Sequence, residues 1–373
     1  MNFFNGEFTL HPSLPQLPGY HILIAALARL LNFVAMPEIR FVTTLYSILS
    51  IVFFYLVADL LDEKSAGVRT LQYAFFPIIF PFFSLIYTDV VSVLFVLIAL
   101  YCALKNKPSL SGLFWIGSMC IRQNNVVWLP LLFFIAMGKV SRVDCFAGWR
   151  WPGWQITCKQ VYRLLLHSWS FMLGSILFVT FIICNKGIVL GDKVAHPFPS
   201  IHAGNIYFFL FIVLITLLPV HLENLPKMFR FLRERKAIWI SMAIACMYVV
   251  FLNTFENSHF YNQGNTWLLR HKLLIYFASD IQHKTILFIF IALALLSLLV
   301  TRLKRNVFYL IYPLIGVYLA FSWLIEQRYY MIPIVFLLLF RERKTWSEYA
   351  LAVYCLVGSL ILFIGILNGK FFL

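Results

Sequence analysis

Residues 110–137 read LSGLFWIGSMCIRQNNVVWLPLLFFIAM, an apolar run of 28 residues interrupted by Arg122-Gln123-Asn124-Asn125. A hydrocarbon core of about 30 Å needs roughly 20 helical residues, so this run is too long for one untilted crossing. It reads as a bent helix or as two half-helices meeting at a polar pocket. Broken helices survive at membrane depth only where the freed backbone faces protein or water. An arginine and three amides in such a stretch need partners inside a bundle. Arg122 answers that need either by binding an anionic group, since a guanidinium clamps phosphate oxygens in bidentate fashion, or by a structural ion pair.

The same alternation of apolar run and polar break extends outward to both ends. Apolar segments fall at 21–36, 41–61, 71–87, 89–104, 110–137, 168–184, 205–220, 237–252, 285–300, 307–324, 329–340 and 347–368, about twelve in all, with 59–69 as a nearly balanced loop. Several are short for a crossing. Composition agrees: of 373 residues 62% are hydrophobic and only 12% charged, against about 25% charged in soluble domains, and the mean hydropathy is +0.85. The expected fold class is therefore an all-α polytopic membrane protein with no soluble domain, residues 1–373 forming one transmembrane domain. The lipid bilayer is its first partner.

The net charge of +15 arises from 30 Lys and Arg against 15 Asp and Glu. The basic residues crowd short loops around Lys105, 139–163, 227–236, 302–305 and 341–344, the signature of cytoplasmic loops. That leaves 185–204, 253–284 and 325–328 on the non-cytoplasmic side. Nucleic acid is not an expected partner, because these basic loops are short, separated by apolar spans and without a zinc, RRM-like or helix-turn-helix pattern. The segment 139–163, with Trp149, Trp151 and Trp154, reads as lying on the membrane surface. Seven cysteines form no CxxC pair, and Cys102, Cys120, Cys184, Cys246 and Cys355 read as buried free thiols.

Polar residues gather on the non-cytoplasmic side. Pro12, Pro15 and Pro18 with Gly19 forbid a regular helix through 5–20, so the chain reaches segment 21–36 from a shaped loop that carries Glu7. Asp89 lies between two apolar runs, either as the N-cap of 90–104 or as a partnered functional carboxylate. Further on come Lys193, His196 and His202, then Asn257, His259, Asn262, Arg270 and Lys272, and finally Glu326-Gln327-Arg328, whose charges pair with each other or with a ligand. Amides and aromatics suit a sugar, and arginines suit a phosphate. No HExxH-type metal site, Walker A loop or GxGxxG context is present, so neither a metal nor a soluble nucleotide cofactor is expected. A small-solute or polyprenyl-linked carrier, or flippase, and a structural membrane protein are the competing classes, although no transporter-type internal repeat stands out.

Several of these strings resemble the dolichyl-phosphate-glucose alpha-1,2-glucosyltransferase family, the last glucosyltransferase of lipid-linked N-glycan assembly. They are Leu17-Pro18-Gly19-Tyr20, Tyr87-Thr88-Asp89 with Ser92, Arg122-Gln123-Asn124-Asn125-Val126-Val127-Trp128, Gly191-Asp192-Lys193 with His196, His202 with Tyr207-Phe208, and Glu326-Gln327-Arg328-Tyr329-Tyr330 with Pro333. Asn124 departs from a threonine, Asn205 from a glutamine and Gln327 from a proline. The resemblance implies a GT-C-like helical bundle and an inverting hexosyltransferase. Its donor would be dolichyl-phosphate glucose, or another polyprenyl-phosphate sugar in a related enzyme, and its acceptor a lipid-linked oligosaccharide. It further implies a multi-pass protein of the endoplasmic reticulum with a luminal active face. It also places an N-terminal helix and an Asp-Glu-containing luminal loop ahead of 11–20, an element expected to be missing here. On this resemblance Asp89 and Glu7 are the base candidates. Arg122, Arg270, Arg328 and Lys193 are the donor-phosphate candidates, and Asn125, His202, Asn257, His259, Asn262 and Glu326 the sugar or acceptor candidates.

Overall fold

The computed structural model describes residues 14–33, 35–141, 158–198, 200–233, 237–264, 267–343 and 346–372. Within them the chain is all α. It runs through α1 (Gly19–Leu31), α2 (Met36–Ala74), α3 (Thr88–Leu104), α4 (Pro108–Ile121), α5 (Leu129–Ser141), α6 (Cys158–Asn185), α7 (Gly204–Thr216) and α8 (Leu218–Arg233). It continues through α9 (Ala237–Thr254), α10 (Phe260–Gln263), α11 (Leu269–Ala278), α12 (Ile281–Val300), α13 (Ile311–Ala320), α14 (Met331–Phe340) and α15 (Trp346–Leu367). Among the described residues four helices are long and apolar enough to cross a membrane, and α7 and α8, bent by 96° at their junction, make a fifth if taken as one span. Shorter apolar helices account for the remaining sequence segments other than 71–87. The chain is an all-α polytopic membrane protein.

Exposure separates the core helices from those that meet lipid. Every residue of α14 is buried, and α3 is buried along almost all its length, as helices apolar all round should be. Along α6, Leu166, Trp169, Leu173, Ile176 and Ile183 lie exposed at helical spacing. Along α15, Tyr349, Val353, Leu360, Ile364 and Leu367 do the same. An apolar stripe of that length on the outside of a protein is stable only against hydrocarbon.

The chain divides into two compact units: Met1–Ala66, Phe82–Phe198 and Arg305–Leu314 form the first, and Gly67–Pro81, Pro199–Lys304 and Ile315–Leu373 the second. In the first, α3, α4, α5 and α6 pack side by side. Gly112 of α4 lies so close to Ser170 of α6 that a Cβ there would strike the serine side chain, the small-residue contact that lets membrane helices approach. In the second, α7 and α8 pack on α12, where His221 Nδ1 meets Ser297 Oγ at 2.7 Å and Asn224 donates to Ser297 and Thr301 at 2.9 Å. The second unit also encloses an ionic network in which Glu348 accepts from Arg69 at 2.8 Å, Gln72 at 2.9 Å and Arg341 at 2.6 Å. All four residues are buried.

Four expectations are corrected. The loop 59–69 between segments 41–61 and 71–87 is helical: α2 runs through it with one break at Asp62 (φ −169°, ψ 92°), where Ser65 Oγ donates to the Asp62 carboxylate at 2.7 Å. Balanced charge is no obstacle to a helix, and no proline interrupts the stretch. Residues 75–87 of the second segment instead form turns and a 3₁₀ element, Phe80–Ser84. The loop 253–284 carries α10 and α11. Finally, Cys102 and Cys355 are buried free thiols, but Cys120, Cys184 and Cys246 are exposed, which lipid tolerates because a thiol is nearly apolar.

Candidate functional site

In the first unit the break at 122–125 is the two-half-helix arrangement. α4 ends at Ile121, Arg122 takes an extended conformation (φ −139°, ψ 107°), and a 3₁₀ turn over Gln123–Trp128 leads into α5. The freed backbone is recovered locally, with Asn125 N donating to Arg122 O at 3.0 Å and Trp115 Nε1 donating to Asn125 O at 3.1 Å. The turn swings Arg122 onto Asp89, whose Oδ1 lies 2.5 Å from Arg122 Nη1, both residues being buried. Asp89 is not the N-cap of α3. That position belongs to Tyr87, and Asp89 stands in the first helical turn, where a carboxylate also meets the positive end of the helix dipole.

Around this pair the polar groups are largely committed. Asn125 donates to Ser92 Oγ at 2.6 Å and to Ser118 O at 3.0 Å, and is fully buried. Gln123 reads the backbone of the loop that leads into α1, donating to Pro15 O at 2.8 Å and accepting from Leu17 N at 3.3 Å. Thr88 Oγ1 donates to Gln16 Oε1 at 2.9 Å. Gly19 must be glycine, since a Cβ would sit 2.5 Å from the Cys120 carbonyl oxygen. Lys193 Nζ donates to the carbonyl of Asn185 at 2.8 Å, a cation at the C-terminal end of α6. Glu7 lies outside the described residues.

In the second unit the chain between α13 and α14 is held out of helical form over 322–326. Asn205, fully buried on α7, donates to Ser322 O and Leu324 O, each at 2.8 Å, and accepts from Glu326 N at 3.2 Å and Tyr330 OH at 3.0 Å. Asn262 grips the same segment from α10, donating to Ile325 O at 3.2 Å and accepting from Ile325 N at 3.1 Å. Glu326, so anchored, receives Arg270 Nη1 at 2.8 Å and Arg328 Nη2 at 2.6 Å on one carboxylate oxygen. Two guanidiniums on one carboxylate leave a net positive charge, and the Arg328 side chain is 20% exposed. A guanidinium presents its donors in the geometry that carboxylate and phosphate oxygens accept.

The histidines beside this cluster sit among aromatics. His202 stacks on Trp323 with ring centres 5.6 Å apart, and His259 meets the same indole edge-on at 4.6 Å. Burial pushes the His202 imidazole below its ordinary pKa, partly offset by Glu256. His259 is buried and accepts from Tyr261 N at 3.1 Å as the N-cap of α10. Asn257 reaches Asn262 O at 3.5 Å. Of the sequence candidates, the fold thus joins Asp89, Arg122 and Asn125 in one unit and Arg270, Glu326 and Arg328 in the other, while His259 and Asn262 shape their loop. Asn205, Gln327 and Trp323 were not among the candidates. The adjacency of Gln327 to two charged residues was the available signal.

Residues 1–339 match the profile of the DIE2/ALG10 family. The Dol-P-Glc:Glc(2)Man(9)GlcNAc(2)-PP-Dol alpha-1,2-glucosyltransferase of Rattus norvegicus is 22% identical over 306 residues, covering 69% of this chain and 63% of its own length. The Homo sapiens protein of the same name is 23% identical with the same coverage, and that of Arabidopsis thaliana is 25% identical over 84% of this chain and 73% of its own. The chain therefore spans about 63% of the length of the rat and human relatives. No solved structure matches it.

Proposed function

The chain belongs to the DIE2/ALG10 family, and from that membership we propose that it transfers glucose from dolichyl-phosphate glucose to a lipid-linked oligosaccharide, forming an alpha-1,2 linkage in N-glycan precursor assembly. Residues 1–373 act as one transferase domain in the endoplasmic reticulum membrane, with the reacting groups on the luminal face. The names of the relatives support this reading. Within the chain the observation that carries it is the pair of guanidiniums, Arg270 and Arg328, on the single carboxylate of Glu326.

The reaction needs few parts. An acceptor hydroxyl oxygen attacks the anomeric carbon and inverts it. The bond from that carbon to the phosphate oxygen breaks, its electron pair leaves with the phosphate, and the hydroxyl proton passes to a carboxylate. Arg270 and Arg328 stabilise the charge growing on the phosphate. The base role falls to Asp89 or Glu7, and Arg122 acts by holding Asp89. The donor carries its own activated bond, so no soluble cofactor enters the step. We assign the half-buried His202 and Asn257 to the hydroxyl-rich ligand.

Binding of dolichyl-phosphate glucose to purified protein in nanodiscs tests the assignment. Arg328→Gln should weaken donor binding, while Asp89→Asn should keep binding and abolish turnover. Donor binding unaffected by Arg328→Gln, or turnover surviving Asp89→Asn, removes the corresponding role. Donor binding without any turnover in the wild type would indicate a carrier.

A further inference from the structure

Gln327 has no role in the reading above, yet it stands at the centre of the charge cluster. It is 3% exposed, and its Oε1 accepts from Arg270 Nη1 at 3.4 Å, which fixes which end of the carboxamide is oxygen. The other end, Nε2, is buried and makes no hydrogen bond with any described residue. Arg270 Nε, on the side chain that touches it, is buried and equally open. Nearly all buried N–H donors in folded proteins are satisfied, and each exception calls for a reason. Here two exceptions fall on contacting side chains beside a cluster of net positive charge, a setting that suits an acceptor oxygen carrying negative charge.

We propose that Gln327 Nε2 and Arg270 Nε form an oxyanion subsite that takes one non-bridging phosphate oxygen of a lipid-linked phosphate, making Gln327 a substrate-contacting residue. The proposal rests on the phosphate reading of Arg270 and Arg328. Its chemistry suits a phosphodiester. Two guanidiniums and one carboxylate sum to a single positive charge, matching the one negative charge of a diester, and a neutral amide adds a directed donor without the extra cation that would favour the more highly charged monoester released by transfer.

The test is binding of dolichyl-phosphate glucose to the full chain in phosphatidylcholine nanodiscs, repeated with inorganic phosphate as competitor and in nanodiscs containing phosphatidylglycerol. Gln327→Met keeps the volume and removes the donor. It should weaken binding of dolichyl-phosphate glucose about tenfold or more, the loss of one hydrogen bond to a charged group. Gln327→Glu is isosteric, gains an ion-pair partner in Arg270 and so keeps the fold, and should weaken binding further. If Gln327→Met binds like the wild type while Arg328→Gln binds weakly, the subsite is overturned and the phosphate reading stands. If Arg328→Gln also binds normally, the phosphate reading itself has failed. Displacement of dolichyl-phosphate glucose by phosphatidylglycerol at equal concentration, or by millimolar inorganic phosphate, would overturn the assignment to a lipid-linked phosphate.

Discussion

Asn205 uses every polar atom of its carboxamide on the segment 322–330, and Asn205→Ala strips partners from Ser322 O, Leu324 O, Glu326 N and Tyr330 OH at once. Leu324, Glu326 and Tyr330 are buried, with exposures of 8%, 3% and 0%, and Ser322 is half-buried. A buried polar group left alone costs about 1–3 kcal/mol. Three such groups, with Ser322 left out for its access to solvent, give about 3–9 kcal/mol. Asn205→Asp is the informative companion. It retains the two bonds accepted by Oδ1, but it sets an oxygen against the two carbonyls in place of the amide donor, so it should cost at least half as much. The assay is unfolding of purified protein by titration with sodium dodecyl sulfate, followed by far-UV dichroism, together with donor binding, since a loosened segment no longer presents Glu326 to its arginines. A cost below about 1 kcal/mol for Asn205→Ala, less than one buried hydrogen bond, would refute the claim that this residue holds the segment.

Further outcomes follow from the buried charges. Asp89→Asn and Arg122→Gln should each destabilise the first unit by about 3–5 kcal/mol, while the double variant should recover part of that loss, because a lone buried charge costs more than an absent pair; additive effects in the double-mutant cycle would contradict the pairing. Glu348→Gln leaves Arg69 and Arg341 facing each other at 0% and 4% exposure and should cost more than about 3 kcal/mol in the same titration. For His202 the folded pKa lies below the ordinary 6.5, so the unfolded chain takes up the proton first as pH falls. Its contribution is therefore complete above about pH 6.5 and is lost on acidification. His202→Phe, which keeps the stack on Trp323, should flatten the loss of thermal stability between pH 7 and 5, and an unchanged profile would exclude His202 as its source.

What could be read from the sequence was what shows itself locally. An arginine and three amides inside an apolar run announce a break, and the break at 122–128 is there. An aspartate beside hydrocarbon demands a partner, and Asp89 has Arg122. Partners far apart in the chain leave no such trace: Arg69 and Glu348 are separated by 279 positions, and Asn205 and Glu326 by 121. Arg341 read only as a cytoplasmic basic residue, although it is buried on Glu348. The helix through 59–69 was missed because a hydropathy reading treats a balanced charged stretch as a loop, whereas helix formation asks only for suitable residues and somewhere to place their charges. The side chains of Asn257, His259 and Asn262 have the chemistry expected of a sugar surface, but in His259 and Asn262 the fold spends it on backbone groups of its own loops.

The most direct measurement of the central claim is glucosyl transfer itself: purified protein in nanodiscs, dolichyl-phosphate glucose labelled in the sugar, and a lipid-linked oligosaccharide acceptor, with wild type and Arg328→Gln side by side. The account predicts that label moves to the acceptor in an alpha-1,2 linkage with equimolar release of dolichyl phosphate, and that Arg328→Gln loses this at wild-type levels of folded protein. Release of free glucose without acceptor glycosylation, or transfer undiminished in Arg328→Gln, would contradict it.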